Sequence, residues 1–357
     1  MVSFLIIASP VSENLHARKI SPVLSDSALF YFRQADSLNR AGQWQKTISL
    51  YRAAEMLYQN GKDTMNAWQC RYKRIMAFIN LRLYDSVEKD IHEARLLYEK
   101  DTSKQNTIHA ELLFLQGYYA YKTDNPAQAI SFLSRLLNAN DYHSSYANRY
   151  LAYCYFELGD FIRARDNMLR ALSLIENDTL HPARKAHDLH WLSILYTYYL
   201  GNRSKGLQYL NLAGEQYRRA HAAPETFSML YNDMGTISMK NSDYSQAQDY
   251  YIMAVSNLPS AKKNTLTLAR IYNNLGIVNH KMGRYQQAES YLSKSLTVKK
   301  QINNVELYST YINLGNLYLD WNKPEKANDS FRKSIENIKQ QYGENNWRLA
   351  DLYQNYG

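Results

Sequence analysis

Along residues 28 to 357, apolar and small side chains return at helical spacing within long Leu-, Ala-, Lys-, Gln- and Glu-rich segments. No stretch shows the Val/Ile/Thr alternation of a strand. The pattern predicts an all-α chain. A longer period overlies the helical one: small residues recur at Gly117, Ala152, Ser193, Gly235, Gly276, Gly315 and Gly357, separated by 35, 41, 42, 41, 39 and 42 residues. Ala35 lies two periods before Gly117, with a weaker unit between them. Self-similarity at such a period marks stacked helical pairs.

Each small residue is followed twelve positions later by another, as in Gly117/Ala129, Ala152/Ala164, Gly235/Ala247, Gly276/Ala288 and Gly315/Ala327; Ser193/Gly206 needs one residue more. Seven residues further comes a third small position: Ala54, Ala94, Ala171, Ala213, Ala254, Ser295 and Ser334. Antiparallel helices approach closely only where both offer small side chains, and large neighbours then fill the adjoining grooves. Tyr51, Met168, Leu210, Tyr251, Leu292 and Phe331, four residues beyond the second small position, are such neighbours. Turn phrases separate the paired helices: "AGQW", "LGDF", "KMGRY" and "DWNKP", where Gly or Asn ends one helix and an aromatic or Pro opens the next.

These residues resemble the tetratricopeptide repeat family. "YNNLGIVNHKMGRYQQAESYLSKSL" (272–296) and "YNDMGTISMKNSDYSQAQDYYIMAV" (231–255) follow its order of aromatic, Leu-Gly or Met-Gly, turn, Tyr, Ala and small residue. The resemblance spans about residues 28 to 357 and implies an all-α, right-handed superhelix (α-solenoid) of about eight helix-turn-helix units plus the start of a ninth. Two features depart from the family. The second unit, "QCRYKRIMAFINLRLYDSVEKDIHEA", lacks a small residue at its first slot. Periods near 41 also exceed the usual repeat of about 34, which requires longer helices. The longer unit is similar to kinesin light chain-like arrays and to bacterial sensor and CHAT-protease arrays, whose linker phrase "QQYGENNWRLADLYQNYG" resembles.

Composition narrows the functional classes. The net charge of +9 is scattered, with nothing longer than pairs such as Lys262-Lys263 and Lys299-Lys300. That argues against a nucleic-acid partner, because a phosphate footprint requires clustering. Two cysteines, Cys70 and Cys154, exclude a disulfide framework and read as buried packing residues. No phosphate loop, CxxC or HExxH is present, since "HEARL" places Leu96 at the second His position. In "HPARKAHDLHW", His187 and His190 share a helix face but lack the further ligands of a closed metal site. We therefore expect no catalytic residue, metal or cofactor in this chain.

The expected activity is binding. First helices of successive units line the concave groove of a solenoid, where a protein or peptide ligand lies. Positions two or three before each small residue and one after it face that groove. In the C-terminal half they are polar: Asn232 and Asp233, Asn273 and Asn274, Asn313 and Asn316, Gln354 and Asn355, with Asp233, Asn274, Asn313 and Asn355 forming a ladder. Side-chain amides both donate and accept, which suits a peptide backbone of any sequence. By resemblance to kinesin light chain and O-linked GlcNAc transferase arrays, such asparagines hold peptides; the alternative is that they only bond the neighbouring helix. In the middle of the chain, Tyr118, Tyr150, Tyr153 and Trp191 give the same surface an aromatic stretch that is either core or ligand wall. A chaperone-tail clamp is not expected, because Arg149 and Arg270 are isolated.

The resemblance implies a recruitment or sensory part of a larger bacterial signalling or effector protein. The alternatives are the non-catalytic portion of a histidine kinase or CHAT protease whose catalytic domain follows residue 357, or an RNA-binding helical repeat. Residues 1–27 read as a flank carrying a clipped export signal: an apolar run from Val2 to Ala8, no basic residue between Met1 and that run, and Ala17 at a cleavable site. This points to an exported or periplasmic setting over a cytoplasmic one. No segment reaches the apolar length of a membrane span. The final "DLYQNYG" reads as the first helix of a ninth unit, broken off at the small residue that should receive its partner.

Overall fold

The computed structural model describes residues 22–98, 105–137, 142–176, 181–259, 265–303, 306–344 and 346–356. The apolar run and cleavable site read as an export signal, and Gly357, lie outside the described residues. Among the described residues there are seventeen α-helices and no strand, and no helix is long and apolar enough to cross a membrane.

The chain divides into two compact units, Met1–Thr179 and Leu180–Gly357. The first holds four helical hairpins: α1 (Pro22–Arg40) with α2 (Trp44–Asn60), α3 (Thr64–Asn80) with α4 (Tyr84–Tyr98), α5 (Gln105–Lys122) with α6 (Pro126–Leu133), and α7 (Tyr142–Glu157) with α8 (Phe161–Leu174). The second holds α9 (Pro182–Ile194) with α10 (Arg203–Arg219), α11 (Pro224–Lys240) with α12 (Tyr244–Ser256), α13 (Leu266–Lys281) with α14 (Tyr285–Gln301), and α15 (Tyr308–Asp320) with α16 (Pro324–Tyr342), followed by α17 (Trp347–Tyr356). A short 3₁₀ turn extends α6 and a π turn extends α9. Helix α1 begins at Pro22, earlier than the repeat boundary at residue 28.

Every hairpin turns on one residue with left-handed backbone. Four are glycines, Gly42, Gly159, Gly201 and Gly283, and four are Arg82, Asp124, Ser242 and Asn322. In several turns the next residue caps the second helix: the side chains of Asn125, Asp160, Asn202 and Asp243 accept from the backbone N–H three residues on. The capping oxygen satisfies a donor that the first helical turn leaves orphaned.

The small-residue slots are where paired helices touch. A Cβ on Gly276 would stand 2.5 Å from Leu292 Cγ, and one on Gly315 would stand 2.4 Å from the Phe331 ring. Leu292 and Phe331 are the large neighbours that the spacing predicts. The third slot is fully buried as well, and its two serines gain a bond: Ser295 Oγ donates to the Ala269 carbonyl at 2.7 Å and Ser334 Oγ to the Tyr308 carbonyl at 3.2 Å.

The second hairpin departs from this rule. Ile75 and Val87, both fully buried, stand where other units carry Gly or Ala, and α3 and α4 touch over a shorter stretch than any other pair. Beside them lies a cavity of about 310 Å³ lined by α2, α3 and α4. Its wall is a buried ion network: Arg71 Nε donates to Glu55 Oε1 at 2.6 Å, Arg74 Nη1 to Glu55 Oε2, and Arg74 Nε to Asp90 Oδ2 at 2.7 Å. Glu55 of α2 and Asp90 of α4 thus reach the α3 guanidiniums from two sides, and the charges of the wall neutralise one another. Cys70 on α3 and Cys154 on α7 are buried free thiols, as their packing role requires.

Candidate functional site

In the second unit, successive first helices meet through polar side chains, and the bonds follow one rule. The residue three before the small slot of one helix bonds the residue two before the slot of the next. His190 Nε2 meets Asp233 Oδ2 at 2.9 Å, Asn274 Nδ2 donates to Asn232 Oδ1 at 3.1 Å, and Asn313 Nδ2 donates to Asn273 Oδ1 at 3.0 Å. Asn232 Nδ2 also donates to Asp233 Oδ1 at 3.3 Å. The connected line thus runs from α9 through α11 and α13 to α15. It has no further step of this kind, because Ile312, three before Gly315, carries no side-chain acceptor where Asn232 and Asn273 supply one.

Helical periodicity explains the placement. The small residue faces its own partner helix, so positions two and three before it are turned toward the neighbouring unit and the open side. Asn232, Asp233, Asn273, Asn274 and Asn313 are accordingly half-buried. Each uses only part of its capacity: among the described residues, Asn274 and Asn313 keep one N–H and the carbonyl oxygen, and Asn273 keeps both N–H groups. Such a line can hold the neighbouring helix and meet an external backbone at once.

Other sequence-predicted residues fall elsewhere. Asn316 is exposed on α15 and takes no part in the line of bonds. Asn355 is in α17, and its side chain lies outside the described residues. Two candidates require correction. Tyr118 (3 % exposed) and Trp191 (6 % exposed) are core residues, so neither presents a ring to a ligand. Tyr118 packs on Phe114 and meets Tyr150 edge-on with centroids 4.9 Å apart. Burial pushes the Tyr118 hydroxyl pKa well above its usual value. Tyr150 and Tyr153 remain half-buried above that core, with centroids 5.7 Å apart.

Sequence reasoning missed His190 as a member of the line. The signal is present in the sequence, since His190 occupies the slot of Asn232 and Asn273, but its spacing from His187 reads first as that of a metal-ligand pair. Its neighbour His187 meets the Tyr217 hydroxyl at 3.2 Å. Among the described residues, no group of three or more His, Cys, Asp or Glu is placed to hold a metal ion.

A pocket of about 130 Å³ opens beside the amides, lined by Leu266, Arg270, Asn273, Asn274 and, from α14 through the start of α15, Lys299, Glu306, Tyr308 and Ser309. It brings together residues that are distant in sequence.

Residues 225–301 and 267–340 match a family model described as tetratricopeptide repeat, and residues 90–179 match a second model of that description. No curated protein matches the chain. Among solved structures, the apo form of RapI aligns at 13% identity over 90% of this chain and 99% of its own, with a TM-score of 0.64. The apo quorum sensor NprR from B. thuringiensis aligns at 15% identity over 88% and 99%, with a TM-score of 0.53. BtubC from P. vanneervenii aligns at 18% identity over 66% and 94%, also at 0.53. At these identities the likeness is one of fold.

Proposed function

The chain belongs to the tetratricopeptide repeat family, and from that premise we propose that its second unit binds an extended peptide or protein segment along the polar line of α11, α13 and α15, as the sensory or recruitment surface of a signalling protein. One observation carries the reading: half-buried asparagines recur on successive helices, are fixed in orientation by bonding one another, and retain unused donors and acceptors. Pre-set amides lower the ordering cost of gripping a backbone, whose own N–H and C=O groups repeat along an extended chain. A quorum sensor is among the proteins that share this fold, in keeping with a sensory role.

The test is capture of short randomised peptides on the immobilised full chain, wild type beside the double variant Asn274→Ala/Asn313→Ala. Loss of two amide contacts should weaken capture about tenfold or more. Equal capture by the two proteins would sink this reading.

A further inference from the structure

In the first unit, α2 lines the cavity of about 310 Å³ with Arg52 beside Glu55, α3 with Arg71 and Arg74, and α4 with Lys89, Asp90 and Glu93. Helical periodicity sets each of these groups on one face of its helix. The network of Glu55, Arg71, Arg74 and Asp90 is neutral, but the cavity as a whole is not, because Arg52 and Lys89 add two cations and Glu93 only one acid. Arg52 and Lys89 are exposed and have neither hydrogen bond nor ion pair among the described residues. Within the cavity, Arg71 Nη1 is buried without a hydrogen-bond partner and meets Glu93 Oε2 only at 3.4 Å. A guanidinium N–H taken out of water without a close acceptor is costly. The carboxylate it faces is loosely held, since the Glu93 side chain is 42 % exposed against 7 % for Arg71. Ile48, Met56 and Phe78 supply an apolar part of the lining.

We propose that this cavity is a second binding site, for a small phosphate monoester with an apolar body, whose phosphate takes the place of Glu93 at Arg71 Nη1 and is held from the rim by Arg52 and Lys89. With Glu93 turned out to water, the surplus is two positive charges, which a phosphomonoester approaches near neutral pH. Its three terminal oxygens answer one guanidinium N–H within the cavity and two cations at its mouth, and such charge-assisted bonds are the strong ones. A carboxylate, with one charge and two oxygens, leaves one of the three groups unanswered. The ester's body lies against Ile48, Met56 and Phe78, and the volume of about 310 Å³ falls at the lower end of small-molecule sites. The site lies wholly within the first unit and is independent of peptide binding by the second.

The experiment titrates the full chain calorimetrically with phenyl phosphate, inorganic phosphate and benzyl alcohol at one fixed ionic strength. The proteins are wild type, Arg52→Gln/Lys89→Gln and Glu93→Gln. Neither Arg52 nor Lys89 belongs to the buried network, so the double variant should keep the wild-type circular dichroism spectrum. Wild type should bind phenyl phosphate saturably, and the double variant about tenfold or more weakly. Glu93→Gln removes the competing carboxylate and should tighten binding by about two- to fivefold. Inorganic phosphate should bind more weakly than the ester, and benzyl alcohol should not bind. No saturable binding, or equal affinity of wild type and the double variant for phenyl phosphate, overturns the site. An affinity unmoved by Glu93→Gln overturns the exchange at Arg71. Inorganic phosphate binding as tightly as phenyl phosphate overturns the ester in favour of the bare ion, and benzyl alcohol binding as tightly overturns the phosphate.

Discussion

The α2–α4 region of the first unit and the α11–α15 region of the second both place polar side chains between helices, with opposite outcomes. Around α3, Glu55, Arg71, Arg74 and Asp90 are all buried and satisfy one another's charge. Along α11, α13 and α15 the groups are neutral amides, half-buried, each holding a neighbour with only part of its capacity. Slot size separates the cases. Gly276 receives Leu292 across α13 and α14 and polar groups are left to the open face, whereas α3 carries Ile75 at that slot and its guanidiniums meet buried acids of both α2 and α4. One scaffold thus uses polarity for cohesion in one place and leaves it available in another.

The contrast is broken most severely at Glu55. Replacing it with Ala leaves Arg74 to Asp90 and Arg71 only its longer 3.4 Å contact with the half-exposed Glu93, and a loss of about 3–5 kcal/mol is expected, read by urea unfolding and by hydrogen exchange across α2, α3 and α4. Replacing Glu55, Arg71 and Arg74 together with Met, Met and Leu should recover most of that loss, because the burial penalty leaves with the charges. Next in size is the slot itself: Gly276→Ala drives a methyl into Leu292 and should cost about 1–3 kcal/mol, measured as a lower urea midpoint of the second unit. A neutral outcome would mean that the helix pair has room to shift and that slot size does not control closure.

Smaller effects sharpen the comparison. Asn274→Ala/Asn313→Ala removes two partly solvated amide bonds, so its stability cost should be about 0.5–1.5 kcal/mol per bond at most, well below that of Glu55→Ala. The smallest effect is on the thiols. Burial lifts the Cys154 pKa to about 12 and raises that of Cys70 further. The unfolded thiol titrates near 8.5, so the folded state holds its proton longer; this stabilisation is fully present below the unfolded pKa and is lost as pH rises through the folded one. Because the thiolate is the nucleophile, both cysteines should resist iodoacetamide in mildly alkaline buffer and react once urea is added. Rapid labelling of the native chain would contradict their placement.

Much of this was legible in the sequence because close helix contact imposes a fixed spacing of small residues, and Gly276 with Leu292 or Gly315 with Phe331 pack as that spacing requires. The site was only partly legible. Periodicity places Asn232, Asn273, Asn274 and Asn313 on one face, but the diagonal bonding between slots depends on the offset between neighbouring helices, which no single repeat encodes. Tyr118 and Trp191 share comparable helical slots and are nonetheless buried, since burial of a ring depends on what the adjacent units place against it. The Lys299 pocket was hidden for a different reason: the Glu306 carbonyl that holds its ammonium is a backbone atom, and Arg270 reaches the same space from another helix.

The central claim, that the amides of α11, α13 and α15 serve a ligand and not cohesion alone, is tested most directly by following asparagine side-chain amide resonances while a captured peptide is added. The signals of Asn232, Asn273, Asn274 and Asn313 should shift. That of Asn279, fully buried on the same α13 and donating to the Leu275 carbonyl at 2.8 Å, should stay in place. Saturating binding with the four signals unmoved would contradict the account.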